Sequence, residues 1–133
     1  MKFILTAIAV GAATAGHAAG GACGADQTVT MRVSKLSASG TPAGFLDAVK
    51  DHKVWYASHG LKDDSLTTVP ALTAVKGGLK SSVTEYVTFH VYGSTEQPKH
   101  DAAWDAYVAK YKANATIVGE TRFCLPKGTA IGR

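Results

Sequence analysis

The chain has 133 residues, with 14 Lys and Arg against 10 Asp and Glu, a formal net charge of +4 and two cysteines. That length holds one domain with a single modest core and excludes two. Its basic residues, among them Lys50, Lys53, Lys76, Lys80, Lys110 and Lys112, are dispersed rather than interleaved with aromatics, which argues against nucleic acid as a partner.

The first segment reads as a secretory signal. Lys2 precedes the apolar run Phe3-Ile4-Leu5-Thr6-Ala7-Ile8-Ala9-Val10, and small residues follow through Ala22. The run falls short of the roughly 20 apolar residues that cross a bilayer as a stable helix, so removal is expected, not anchoring, and the mature chain should not insert in a membrane. Gly16-His17-Ala18 places cleavage after residue 18, with Ala22 as the latest alternative. A lipid anchor on Cys23 is disfavoured by the Gly20-Gly21-Ala22 that precedes it. Residues 19–27 then form an N-terminal arm, 28–126 the domain and 127–133 a tail. The expected address is periplasmic or secreted. There Cys23 and Cys124 should pair, closing a loop of about 100 residues, and neither has the neighbours a zinc site would need.

Thr28 to Leu36 alternates apolar and polar residues, as a half-buried strand does. Thr41 can cap a helix with Pro42 in its first turn, so a helix is predicted over 42–58, stopping at Gly60. Leu66 to Leu72 reads as an edge or bulged strand because of Pro70, and Gly77-Gly78 as a loosened connection. Val83 to Tyr92 is the strongest strand. A second helix is predicted over about 99–114 with Trp104, Tyr107, Val108 and Tyr111 as its core stripe, and Thr116 to Leu125 is the last strand.

The order strand, helix, strand, strand, helix, strand is the split βαβ arrangement. It gives an α+β, ferredoxin-like fold with a four-stranded antiparallel sheet and two helices on one face. The other face needs a cover, and two such sheets packing together would supply it. In this order of elements, and in the helix ending Trp55-Tyr56-Ala57-Ser58-His59-Gly60-Leu61, the chain resembles the dimeric α+β barrel group of ferredoxin-like domains. The resemblance implies a homodimer and a pocket. The group includes cofactor-free monooxygenases, haem-binding and haem-degrading enzymes and stress-response barrels, so it implies no single chemistry.

Placing Val87, Phe89 and Val91 under the helices, with Val29, Met31 and Val33, turns Tyr86, Thr88, His90 and Tyr92 to the helix-free face with Thr30, Arg32 and Ser34. On the last strand, Ile117 and Phe123 toward the helices would turn Val118, Glu120 and Arg122 the other way. The resulting polar-aromatic pocket would take a small organic ligand through Arg32, Tyr86, Thr88, His90, Tyr92, Glu120 and Arg122, with His52 of the first helix as a further candidate. His90 is the candidate catalytic base. His52 and His59, seven residues apart, stand roughly 10 Å apart along a helix and cannot share a metal. His59 suits the helix C-terminus, and the helix aromatics read as core. The sequence carries no phosphate loop and no nucleophile elbow.

The leading function is therefore a secreted small-molecule-binding protein with no cofactor. The alternatives are a cofactor-independent enzyme, monooxygenase-like or proton-transferring, acting on a small aromatic or enolic substrate; a haem-binding protein with His90 or His52 on iron; and a purely structural dimer.

Overall fold

A computed structural model describes residues 22–93 and 97–131; the expected signal segment over 1–18 lies outside them. Six elements follow in chain order: β1 (Gln27–Leu36), α1 (Pro42–Ser58), β2 (Ser65–Val75), β3 (Gly78–Tyr92), α2 (Ala102–Asn114) and β4 (Ala115–Leu125). The strands form one sheet in the order β2-β3-β1-β4, with every neighbouring pair antiparallel. This is the ferredoxin-like α+β fold expected from the sequence.

The helix ends follow from capping chemistry. Thr41 Oγ1 accepts the amide of Gly44 at 3.0 Å, and Pro42 opens α1 where a missing N–H is harmless. At the other end the Gly60 amide bonds the Ala57 carbonyl and the Leu61 amide bonds the Tyr56 carbonyl, the paired closure of a Schellman motif. Gly60 supplies the positive φ of 71° that this closure requires. α2 starts at Ala102, three residues later than the predicted 99, because Asp101 caps it by accepting the Trp104 amide at 2.8 Å.

Strands β2 and β3 run longer than predicted and meet at Lys76-Gly77, with Val75 paired to Gly78. The two glycines close a tight hairpin instead of loosening the connection, Gly77 again supplying a positive φ, here 96°. β2 is an edge strand, and its register shifts between Pro70 and Leu72, the irregularity that Pro70 signals.

The facing of the sheet is the reverse of the sequence expectation. Tyr86 stacks on Phe45 of α1 with centroids 4.9 Å apart, and the His90 ring lies 5.2 Å from that of His52. Tyr86, Thr88, His90 and Tyr92 therefore lie under the helices. Cross-strand pairing puts Ser34, Arg32, Thr30 and Thr28 beside them. Val29, Met31, Val33, Val87, Phe89 and Val91 occupy the helix-free face. In β4 a register shift beside Val33/Ser34 lets Ile117, opposite Ser34, share the helix side with Glu120 and Arg122, while Phe123, opposite Val29, takes the other face. The expected grouping of Ile117 with Phe123 is thus split by the bulge, which changes the phase once along the strand.

At one end of the helix-free face Val29 and Val91 are buried, and Thr67 Oγ1 donates to the Ile131 carbonyl at 3.0 Å, so the C-terminal segment lies against that end. The Cys23–Cys124 disulfide is formed and ties the N-terminal arm to β4 across a sequence separation of 101 residues. Chain-entropy reasoning caps the stabilisation from such a loop at about 4.7 kcal/mol. Reduction should lower unfolding stability by about 2–4 kcal/mol, read as a fall in the urea midpoint of the same sample with and without reductant. An unchanged midpoint would show that the arm clamps nothing.

Candidate functional site

Two helices with aromatic faces lie over a sheet face that is also aromatic and polar, and the space between them is not filled. The helices are antiparallel and clasped at both ends. Near the end of α1 the Trp55 indole donates to Asp101 at 2.9 Å, and His59 Nε2 lies 3.2 Å from the same carboxylate. Near its start, Lys110 of α2 reaches Asp47 at 2.6 Å and Asp51 at 2.5 Å, and the Thr41 amide donates to the Asn114 side chain at 3.1 Å. Gly40 has no side chain to spare here: a Cβ would collide with the Asn114 backbone.

Between these clasps a cavity of about 200 Å³ opens over β1 and β3. Its floor carries Arg32, Ser34, Thr88 and His90; Phe45 and His52 of α1 form one wall, and Trp104, Tyr107, Val108 and Tyr111 of α2 the other. Exposed Ile117 and Lys112 stand at its rim.

The two imidazoles sit side by side. His90, 4% exposed, has Nδ1 at 3.5 Å from the Tyr56 hydroxyl. His52, also 4% exposed, stacks flat on Tyr107 with centroids 4.3 Å apart. Burial lowers the His52 pKa to about 4, with the Arg32 charge adding to the effect. His90 is pushed well below the ordinary value by burial, then by Arg32 and His52. Both rings are neutral at pH 7. Burial raises the phenols of Tyr56, Tyr92, Tyr107 and Tyr111, so they stay protonated too.

The one cation on the floor is itself paired. Arg32 Nε donates to Glu120 at 2.7 Å, and Arg122 donates to the other oxygen of that carboxylate at 2.9 Å. The Arg32 hydrogen bond is the main reason that Glu120 titrates below the usual range.

Three buried polar atoms beside the cavity have no hydrogen-bond partner among the described residues: His52 Nδ1, Tyr107 Oη and Tyr111 Oη. Each such group costs about 1–3 kcal/mol if it stays unmet. Folded proteins contain few of them, and here all three belong to residues that line one cavity, although the atoms themselves are buried in its walls.

Every residue singled out from the sequence lies on the helix side of the sheet or on α1. Arg32, Thr88, His90 and His52 border the cavity. Glu120 and Arg122 hold Arg32, Tyr92 stacks beside His90 with centroids 6.2 Å apart, and Tyr86 packs behind on Phe45. The pocket itself is not on the helix-free face, which is aliphatic, with Phe89 and Phe123 as its aromatics. Sequence reasoning assigned Trp104, Tyr107 and Tyr111 to the core. They are buried or half-buried, but they also wall the cavity, and that role has no signature in the chain.

No family model matches the chain, and no curated protein matches it in sequence. Among solved structures it is similar to SnoaB, a cofactor-independent oxygenase from Streptomyces nogalater, at 16% identity and a TM-score of 0.48, over 82% of this chain and 97% of that one. Among the described residues, no group of three or more His, Cys, Asp or Glu could hold a metal ion, and no helix is long and apolar enough to cross a membrane.

The neutral imidazoles make folding sensitive to mild acid. In the unfolded chain His52 takes up a proton near pH 6.5, but in the folded protein only near 4. Stability is full above the unfolded value and falls as pH drops through this window, by about 1.4 kcal/mol per pH unit for each such group. His52 alone should remove roughly 2 kcal/mol between pH 6.5 and 4.5, with His90 adding to it. Urea midpoints at the two pH values should show the loss, and His52→Phe, which keeps the stack on Tyr107, should shrink it. A wild-type midpoint that does not move would contradict the buried neutral rings.

Proposed function

We propose that this is an exported, homodimeric small-molecule-binding protein whose ligand, a single substituted ring, sits between the helices and the sheet. The observation that carries the reading is the cavity of about 200 Å³, walled by Phe45, His52, Trp104, Tyr107 and Tyr111 over a floor that holds Arg32 and His90. A cavity of roughly 150 Å³ suffices for benzene, so this one suits one ring with a few substituents. A porphyrin, with four pyrrole rings, is far too large for it, which disfavours the haem alternative although His52 and His90 both border the space.

Export is supported by the N-terminal pattern and by the disulfide, a bond that persists in oxidising compartments. The homodimer is supported by the helix-free face. There Val69 is 42% and Phe123 36% exposed, alongside half-buried Met31, Val33, Val87 and Phe89, an apolar surface that a second sheet would cover. Because that face is aliphatic, a dimer would close it without touching the pocket.

A second reading, a cofactor-independent enzyme that moves a proton on its ligand, is favoured by one observation: two neutral imidazoles border the same cavity, so a base is present at neutral pH. His90 is engaged by the Tyr56 hydroxyl and His52 Nδ1 by nothing described, so His52 shares the candidacy that the sequence gave to His90.

Trp104 borders the cavity and reports on its contents. Titration with single-ring aromatics should change the tryptophan emission saturably, and Val108→Trp, which fills the space, should weaken binding at least about tenfold while the protein remains folded. Equal binding by the filled variant would place the ligand elsewhere. On the other face, Phe89→Arg should convert a dimer to a monomer in sedimentation at micromolar concentration; a wild-type monomer would refute the homodimer.

A further inference from the structure

We propose that the cavity takes an aromatic carboxylate, its ring between the aromatic walls and its carboxylate on the side where Arg32 and Lys112 stand; this rests on the reading of the cavity as the ligand site. Among the described residues that line the cavity there is no carboxylate, but there are two cations, Arg32 and Lys112. Lys112 lies in the last turn of α2, just before that helix passes directly into β4. Ala115 and Ile117, which also line the cavity, begin β4, and Ile117 pairs with Ser34 of β1. Arg32 stands two positions from Ser34 on the same face of β1, about 7 Å along the strand. Both cations therefore belong to the β1–β4 side of the cavity.

Their charge is not cancelled within the protein. Glu120 is shared by Arg32 and Arg122, so one negative charge answers two positive ones. It takes the Arg32 Nε–H at 2.7 Å, and the rest of that guanidinium fork has no hydrogen-bond partner among the described residues. Lys112 pairs with no carboxylate among them either. The Arg32 charge is felt across the space: after burial it is the next cause holding His52 and His90 below their ordinary value, and it opposes the burial that raises Tyr107 and Tyr111. A cationic ring would meet like charges here, and a neutral one would leave them unanswered. A planar carboxylate suits both partners, since a guanidinium offers parallel donors and an ammonium a compact charge. Lys112 is exposed, so the carboxylate keeps part of its hydration at the rim while the ring gives up its own among Phe45, Trp104, Tyr107 and Tyr111.

The test titrates the folded, disulfide-bonded protein with benzoate and with benzamide, its uncharged counterpart of nearly the same shape, and follows the tryptophan emission. Benzoate should bind about tenfold or more tighter than benzamide, the advantage of charge-assisted over neutral hydrogen bonds, and added salt should shrink the preference. Lys112→Gln, at an exposed position, should cut the benzoate affinity about tenfold and leave that for benzamide unchanged. Glu120→Gln should raise the benzoate affinity several-fold, because it removes the carboxylate that competes for Arg32. Damage to the fold cannot produce such a gain. Equal binding of benzoate and benzamide by the wild-type protein would overturn the carboxylate preference while leaving the pocket in place. A preference unchanged in both variants would place the carboxylate away from Arg32 and Lys112 and overturn the proposal. Binding of neither compound, nor of any other single ring, would remove the pocket reading as well.

Discussion

The carboxylate of Asp101 fixes the geometry on which the rest of the helix layer depends. It closes the first turn of α2 through the Trp104 amide, accepts the Trp55 indole from α1, and faces His59 at the end of that helix. One oxygen, Oδ1, serves both the amide and the indole. The register of α2 against α1 is thereby set at its N-cap. Six residues on, Tyr107 lies flat against His52, and four beyond that Tyr111 borders the same cavity. The Lys110 clasp on Asp47 and Asp51 holds the far end. Held at both ends, the helices cannot settle fully onto the sheet between the clasps, where large rings already fill the contact, and the space left there is the cavity.

Local chemistry made most of the fold legible. Thr41-Pro42 and Gly60 bound α1 because a cap, a fixed φ and a left-handed glycine are properties of single residues, and the structure ends the helix where they stand. Pro70 marked the edge strand because a missing N–H is tolerated where no neighbour awaits it. The pairing of Cys23 with Cys124 followed from there being two cysteines in a chain whose first segment reads as a secretory signal. That Asp101 caps a helix and receives an indole from 46 residues away is a tertiary fact.

The facing of the sheet was not legible, and the reason is physical. Alternation along β3 separates Val87, Phe89 and Val91 from Tyr86, Thr88, His90 and Tyr92, and it does so correctly. It cannot say which set meets the helices, because hydropathy orders faces by their affinity for water, and both sets here hold residues that bury readily. The helices present Phe45, His52, Trp55, Tyr56, Trp104, Tyr107 and Tyr111, and rings pack well on rings. Tyr86 on Phe45 and His90 beside His52 are the contacts that orient the sheet. The aliphatic set is left for the helix-free face. The bulge beside Val33/Ser34 hid the phase of β4 in the same way, since one extra residue exchanges the faces midway along the strand.

That reversal changes the chemistry of the site. On an open face, His90 and Arg32 would meet solvent, and the imidazole would titrate near neutrality as a proton carrier. Under the helices, burial discharges both histidines, so the rings form a wall without net charge over most of its area. Ring walls recognise by shape and area, and charge enters the cavity on one side, with Arg32 and Lys112. The mild-acid sensitivity of the fold and the neutrality of the imidazoles then have one cause. Protonating His52 would place a charge among the buried rings of Tyr56, Tyr107 and His90 and so destabilise the helix layer that walls the pocket.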